Sequence, residues 1–242
     1  MVVGIGRKAK GGKMPMPTTG LKRRPRAVIF DMDGLMLDTE PLAARAWSDA
    51  AITCGITFDA SVAMRLVGRT FVDCRTLILE HHDEGYPVDT LMVAWHGAYD
   101  AIVEREGLTL KPGLLELLDW LEARSIPKAV ATSTRHARAT AKLTQTALLP
   151  RFDAVVGGDQ VARGKPSPDI FVAALAGLRH APADALVLED SEAGLVAAAR
   201  AGIPAIAVPD LNAAPASVEG HAPIVMPTLH AVLAHLKALP VR

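Results

Sequence analysis

Five short runs of unbroken apolar residues, each ending at a polar turn, constrain this 242-residue chain more than any other feature. Ala27-Val28-Ile29-Phe30 stops at Asp31-Met32-Asp33-Gly34, and Ala129-Val130-Ala131 stops at Thr132-Ser133-Thr134. Ala154-Val155-Val156 gives way to Gly157-Gly158-Asp159, Leu186-Val187-Leu188 to Glu189-Asp190-Ser191, and Ala205-Ile206-Ala207-Val208 to Pro209-Asp210. Hydrophobicity that is continuous rather than alternating predicts strands covered on both faces. Helical signals separate these runs. Leu114, Leu115, Leu117, Leu118 and Leu121 read as one helix face. Ser167-Pro168-Asp169 predicts a helix start with Ser167 as its N-cap, and Ser191 to Ala201 predicts a helix closed by Gly202 and Pro204. Strands alternating with helices predict an α/β fold, a doubly wound, Rossmann-like parallel sheet.

One connection breaks the rhythm. Nearly a hundred residues separate the first run from the second, where a simple crossover needs about a dozen. The interval reads as helical around Ala43–Cys54 and Thr70–His82, and Leu91, Trp95, Ala98, Tyr99 and Ile102 form one stripe. The expected organisation is a core domain of residues 26–38 and 109–242, with a small helical domain at 39–108 inserted after the first strand. An insert there can cover whatever binds at that strand's carboxyl end. Thr39 and Glu40 read as the hinge into it, with Pro41 opening a helix, although capping alone explains these three residues equally well.

Charge is distributed unevenly. Lysine plus arginine equals aspartate plus glutamate, at 26 each, but eight of the basic residues and none of the acids lie in residues 1–26. Residues 1–25 therefore read as a flexible basic leader, and the acidic remainder is not the basic face that nucleic-acid binding needs. Two cysteines, Cys54 and Cys74, are too few for a disulfide framework and read as small apolar residues. No apolar run reaches membrane-spanning length and no signal-peptide pattern opens the chain, so a cytoplasmic protein without a membrane partner is expected. A monomer is the default. The adjacent His81-His82 point in different directions on a helix and read as a solvated face, while Trp47, Trp95 and Trp120 read as core.

The polar groups after the runs converge. In an open parallel sheet the strand carboxyl ends face one crevice, which would gather Asp31, Asp33, Thr132, Ser133, Glu189 and Asp190, with Lys165 from the loop after the third run. Four carboxylates facing one lysine would raise one another's pKa values, and a hard divalent cation resolves that crowding. An oxygen-rich site with few protein ligands suits Mg²⁺. Mg²⁺ and Lys165 together would admit a phosphate dianion.

These residues also resemble a family. Phe30-Asp31-Met32-Asp33-Gly34, Thr132, Lys165-Pro166 and Leu188-Glu189-Asp190-Ser191 look like the four motifs of the haloacid dehalogenase-like superfamily, in its phosphatase branch, in order and each at a strand end. The insert resembles the helical cap of the subgroup that includes β-phosphoglucomutase and many sugar-phosphate phosphatases. The resemblance implies a small phosphorylated metabolite as substrate, Asp31 as nucleophile and Asp33 as general acid and base. It implies Mg²⁺ on Asp31, the Asp33 carbonyl and Asp190, with Glu189 as a further ligand or a partner behind them. It places phosphoryl oxygens against Asp31, Met32, Asp33, Thr132, Ser133 and Lys165, and substrate contacts at Gly68-Arg69-Thr70.

Departures from the family pattern carry information. Dehalogenases of the superfamily lack the second aspartate, so Asp33 implies phosphoryl chemistry. Mutase-like members carry a histidine where this chain has Ala43, and a phosphate-binding arginine where it has Phe71, with Arg69 as a neighbouring substitute. Hydrolysis is therefore expected ahead of phosphosugar isomerisation. Arg135 reads as a surface charge at a helix start. A receiver-type phospho-acceptor would need about half this length and has no use for Lys165 or the insert. An idle binding relative is opposed by intact Asp31, Asp33, Lys165 and Asp190.

Overall fold

The computed structural model describes residues 21–66, 71–83 and 85–241. All five apolar runs form strands: β1 (Ala27–Phe30), β2 (Lys128–Thr132), β3 (Ala154–Gly157), β4 (Ala185–Glu189) and β5 (Ala205–Ala207). A two-residue β6 (Ile224–Val225) adds an edge. Every pairing is parallel, in the order β3-β2-β1-β4-β5-β6. From β1 the chain winds outward through β2 to β3, then returns to start β4 on β1's other side. Strands β1 and β4 thus lie together where the winding reverses, the place at which open parallel sheets hold ligands.

Both faces of this sheet are covered, which is why its strands carry continuous apolar runs rather than an alternating pattern. Val28, Phe30, Val130, Leu186 and Leu188 face α5 (Leu114–Glu122), α6 (His136–Gln145) and α9 (Leu229–Ala238). Ala27, Ile29, Ala129, Ala131 and Val187 face α7 (Asp169–Leu178) and α8 (Glu192–Arg200). Each fully buried Val, Ile, Leu or Phe contributes about 1.5–3 kcal/mol. Two local expectations need correction. Leu115 is 45% exposed, because the inward arc of α5 is the i, i+3, i+4, i+7 set Leu114, Leu117, Leu118 and Leu121. Ser167 is not the cap of α7; Pro168 holds that position, and the Ser167 hydroxyl donates to the Asp169 carboxylate at 2.8 Å.

The long connection is helical: α1 (Glu40–Cys54), α2 (Ala60–Leu66), α3 (Phe71–His81) and α4 (Val88–Glu106). It has its own apolar cluster, with Trp47, Ala50, Val62, Cys74, Ile78 and Leu91 at the centre. The stripe on α4 is as expected, with Tyr99 and Ile102 buried against Ala46 of α1. The two chain passes that join these helices to the sheet run side by side. Asp38 N–H donates to the Thr109 carbonyl at 2.9 Å and Lys111 N–H to the Met36 carbonyl at 2.8 Å.

Composition draws the basic leader to residue 25, yet packing begins earlier. Leu21 rests against the main core, and Arg24 donates to the Lys237 carbonyl at 2.9 Å while lying over the Trp120 ring. Residues 1–20 lie outside the described residues. Among the described residues no helix is long and apolar enough to cross a membrane.

Candidate active site

The first aspartate stands one residue past β1. Its N–H continues the sheet by donating to the Leu188 carbonyl at 3.0 Å, so the position of Asp31 is fixed by β4. The chain then turns tightly, with the Gly34 N–H donating to the Leu37 carbonyl at 2.9 Å. Gly34 has φ +82°, and a Cβ there would meet Asp190 Oδ2 at 2.2 Å. Glycine is therefore required twice, by the turn and by the close approach of Asp190 from the end of β4. Met32, between the aspartates, sends its side chain into the core.

Lys165 is 6% exposed and its Nζ donates to Asp31 Oδ1 and to Glu189 Oε1, at 2.5 Å for the latter. The other oxygen of Glu189 accepts from the Ser191 N–H and hydroxyl, both at 2.9 Å, and Ser191 caps α8 by accepting from the Gly194 N–H. Glu189 is fully buried and both its oxygens are occupied. Its observed place is behind the site, seating Lys165 and the start of α8, rather than on the cavity wall.

Asp31, Asp33, Thr132, Ser133, Lys165 and Asp190 line one cavity of about 520 Å³. Thr134, at the end of the β2 turn, donates through its hydroxyl to Asp33 Oδ2 at 2.7 Å, and Lys142 of α6 donates to Asp33 Oδ1 at 2.6 Å. The far wall comes from the inserted helices: Thr39, Glu40, Ala43 and Trp47 from the start of the insert, Trp95, His96 and Tyr99 from α4. Trp47 and Trp95 are thus both core and wall, their rings 5.4 Å apart. Arg135 is the N-cap residue of α6, with its side chain 79% exposed at the cavity rim. Gly68, Arg69 and Thr70 lie outside the described residues.

Burial and crowding control the charges here. Burial pushes the Asp31 carboxyl up to about 8, with Glu189 and Asp33 adding to the rise against the opposing pull of Lys165. Asp190 is also raised well above the usual carboxylate range, first by burial and then by Glu189, Asp31 and Glu40. Asp33 differs. Burial works against its charge too, but Lys142, Thr134 and Thr39 outweigh it and hold the carboxyl below its ordinary value. Lys165, flanked by two carboxylates, is raised despite burial.

The donor set fits a hard cation. Asp31 and Asp190 are carboxylates whose ionised form the protein alone disfavours, and no ion pair reaches Asp190 among the described residues. Among the described residues no three His, Cys, Asp or Glu side chains converge as a metal cage. Two carboxylates completed by a carbonyl, water and phosphate oxygens are what Mg²⁺ accepts, because it keeps much of its hydration.

A doubly wound parallel sheet with an acid-lined cavity at its winding reversal defines the class, and the comparisons agree. The haloacid dehalogenase-like hydrolase family matches residues 25–202, and this chain belongs to it. It is 31% identical over 195 residues to the bifunctional riboflavin kinase/FMN phosphatase of Arabidopsis thaliana, covering 80% of this chain but 51%, about half, of that protein. It is 34% identical over 177 residues to the phosphorylated carbohydrates phosphatase of Thermotoga maritima, covering 73% of this chain and 82% of the relative. The crystal structure of a protein described as a putative beta-phosphoglucomutase, also from Thermotoga maritima, superposes with TM-score 0.72 at 32% identity, over 87% of this chain and 98% of the other.

Sequence reasoning missed Lys142, Thr134, Tyr99 and the whole aromatic wall. Thr134 was within reach, being the third residue of the turn that nominates Thr132. Lys142 carries no sequence signal, since a lysine in mid-helix reads as solvated.

Proposed function

We propose that this chain is a Mg²⁺-dependent phosphatase of small phosphorylated metabolites, sugar phosphates foremost, working through an aspartyl phosphate on Asp31. The carrying observation is that Asp31 and Asp190, more than 150 residues apart, line one cavity with Lys165 bonded to Asp31. Helices α1–α4 act as a cap on the core, and the cavity lies between the two.

In this reading Asp31 attacks phosphorus as the bond to the leaving oxygen breaks, and Asp33, which the free protein holds ionised and which enters this step after taking up a proton, supplies that oxygen with it. Asp33 then takes a proton from the water whose oxygen attacks phosphorus, and the P–O bond to Asp31 breaks to restore the carboxylate. Thr132 and Ser133 hold phosphoryl oxygens, and Lys165 draws Asp31 toward its ionised form against burial and offsets phosphoryl charge. Mg²⁺, held by Asp31, the Asp33 carbonyl and Asp190, would neutralise the transferring oxygens. Hydrolysis is favoured over isomerisation because Ala43 lines the cavity where mutase-like members carry histidine, leaving no imidazole at that point of the wall.

Purified chain should release phosphate from hexose and pentose phosphates or phosphoglycolate when Mg²⁺ is present. Chelation should lower the rate at least about 100-fold, because the cation's share of transition-state charge is several kcal/mol. The same panel should include β-glucose 1-phosphate with its bisphosphate activator, and phosphate release rather than glucose 6-phosphate is the expected product. Full activity in chelator, or none on any ester, would contradict the proposal.

A further inference from the structure

We propose that Lys142 is a positioning residue for Asp33: with Thr134 it clamps the two carboxylate oxygens so that Asp33 faces the leaving oxygen and the attacking water. The inference rests on the phosphatase reading above and adds to it a residue outside the four family motifs.

The geometry is specific. Lys142 Nζ lies 2.6 Å from Asp33 Oδ1 and the Thr134 hydroxyl 2.7 Å from Oδ2, so each oxygen of Asp33 has its own donor. A carboxylate held at both oxygens keeps its plane fixed, which is what proton transfer to a defined atom needs. Lys142 is itself seated. Its side chain is 12% exposed, it lines the cavity, and its Nζ stands 4.9 Å from the ring centroid of Tyr99 on α4. A lysine beside an aromatic face and a carboxylate has little rotamer freedom. One turn earlier on α6, Arg138 forms a two-pronged pair with Asp100 of α4, so the helix that carries the clamp is fastened to the helix that carries its aromatic seat. The position of Asp33 thus depends on α4 lying against α6.

Lys165 serves Asp31 and Glu189, and no donation from it to Asp33 is seen among the described residues. The two lysines therefore divide the two aspartates between them, Lys165 on the nucleophile and Lys142 on the proton-transfer group. Removing Lys142 should damage only the steps that need a proton moved.

The test uses two esters that differ in that need. An alkyl phosphate requires protonation of its leaving oxygen, whereas 2,4-dinitrophenyl phosphate releases a stable phenolate without it. Lys142→Met should lower kcat on the alkyl ester about 30-fold or more with KM changed less than about 3-fold, in line with the usual size of general acid catalysis. The pre-steady-state burst of dinitrophenolate, which reports attack by Asp31 alone, should keep its rate within about 3-fold. Lys142→Arg, which retains a cationic donor, should recover a substantial part of the alkyl-ester rate. Equal loss of both rates, or an unchanged alkyl-ester rate, would overturn the positioning role while leaving the phosphatase reading intact. Wild-type chain that turns over neither ester would overturn both.

Discussion

Asp31→Asn is expected to lower turnover of any phosphate ester by about four orders of magnitude or more, the scale seen when a covalent nucleophile is removed. An amide has no free carboxylate pair with which to form the bond to phosphorus. Folding should survive the change. Burial already disfavours the ionised form of Asp31, and its carboxyl is raised to about 8, so a permanently neutral side chain does not add to the burial cost. Turnover of an aryl phosphate, measured beside thermal unfolding, separates the two effects. Asp33→Asn should behave differently. Asp31 remains able to attack, so some aspartyl phosphate should form and then persist, because the group that activates water is gone.

Lys165→Met is expected to damage both stability and activity. The ammonium stands between Asp31, 6% exposed, and Glu189, which is fully buried, and no second cation bridges that pair among the described residues. Removing one member of a buried ionic group typically costs about 3–5 kcal/mol, because the remaining charges are left unpaired. The deficit should depend on pH with a definite sign. Burial already raises the Asp31 carboxyl to about 8 against the pull of Lys165, so without the lysine it rises further and the folded variant holds that proton to higher pH. Both proteins lose stability through Asp31 as pH climbs above the unfolded value of the carboxyl, so the gap to wild type opens between about pH 7 and 9, where wild-type Asp31 gives up its proton and the variant does not. Denaturant midpoints across that window measure it. Adding Glu189→Gln should return part of the loss at pH 8, since one of the two stranded charges is then absent. Turnover should drop about 100-fold or more, because a fixed cation beside a transferring phosphoryl group is of that worth.

The fold and the centre of the site were legible for one reason. A strand covered on both faces is apolar along most of its length, so the polar residues at the end of each apolar run mark the sheet's rim. Asp31, Thr132 and the Glu189-Asp190 pair are such residues, and the strand order places their strand ends together. Elements without that contrast were harder to read. Strand β6 is two residues long and gives no pattern. Helix α9 does carry the i, i+3, i+4, i+7 set in Leu229, Val232, Leu233 and Leu236, the rule that identifies α5. The wall opposite the rim was the least legible part. Trp47 and Tyr99 are 3% exposed and serve packing as well as the cavity, so periodicity labels them core. Which helix face meets Asp33 depends on how α4 crosses α6, and no local spacing encodes that angle. Lys142 is the clearest instance, because its meaning comes from an aspartate 109 positions away.

Chemical trapping of the phosphorylated residue tests the central claim most directly. Wild-type chain is mixed with Mg²⁺ and a labelled phosphate monoester, quenched in acid within one turnover and digested. The label should sit as an acyl phosphate on the peptide carrying Asp31 and should be missing from Asp31→Asn. Label on any other residue, or efficient hydrolysis with no acyl phosphate at any time, would contradict the mechanism.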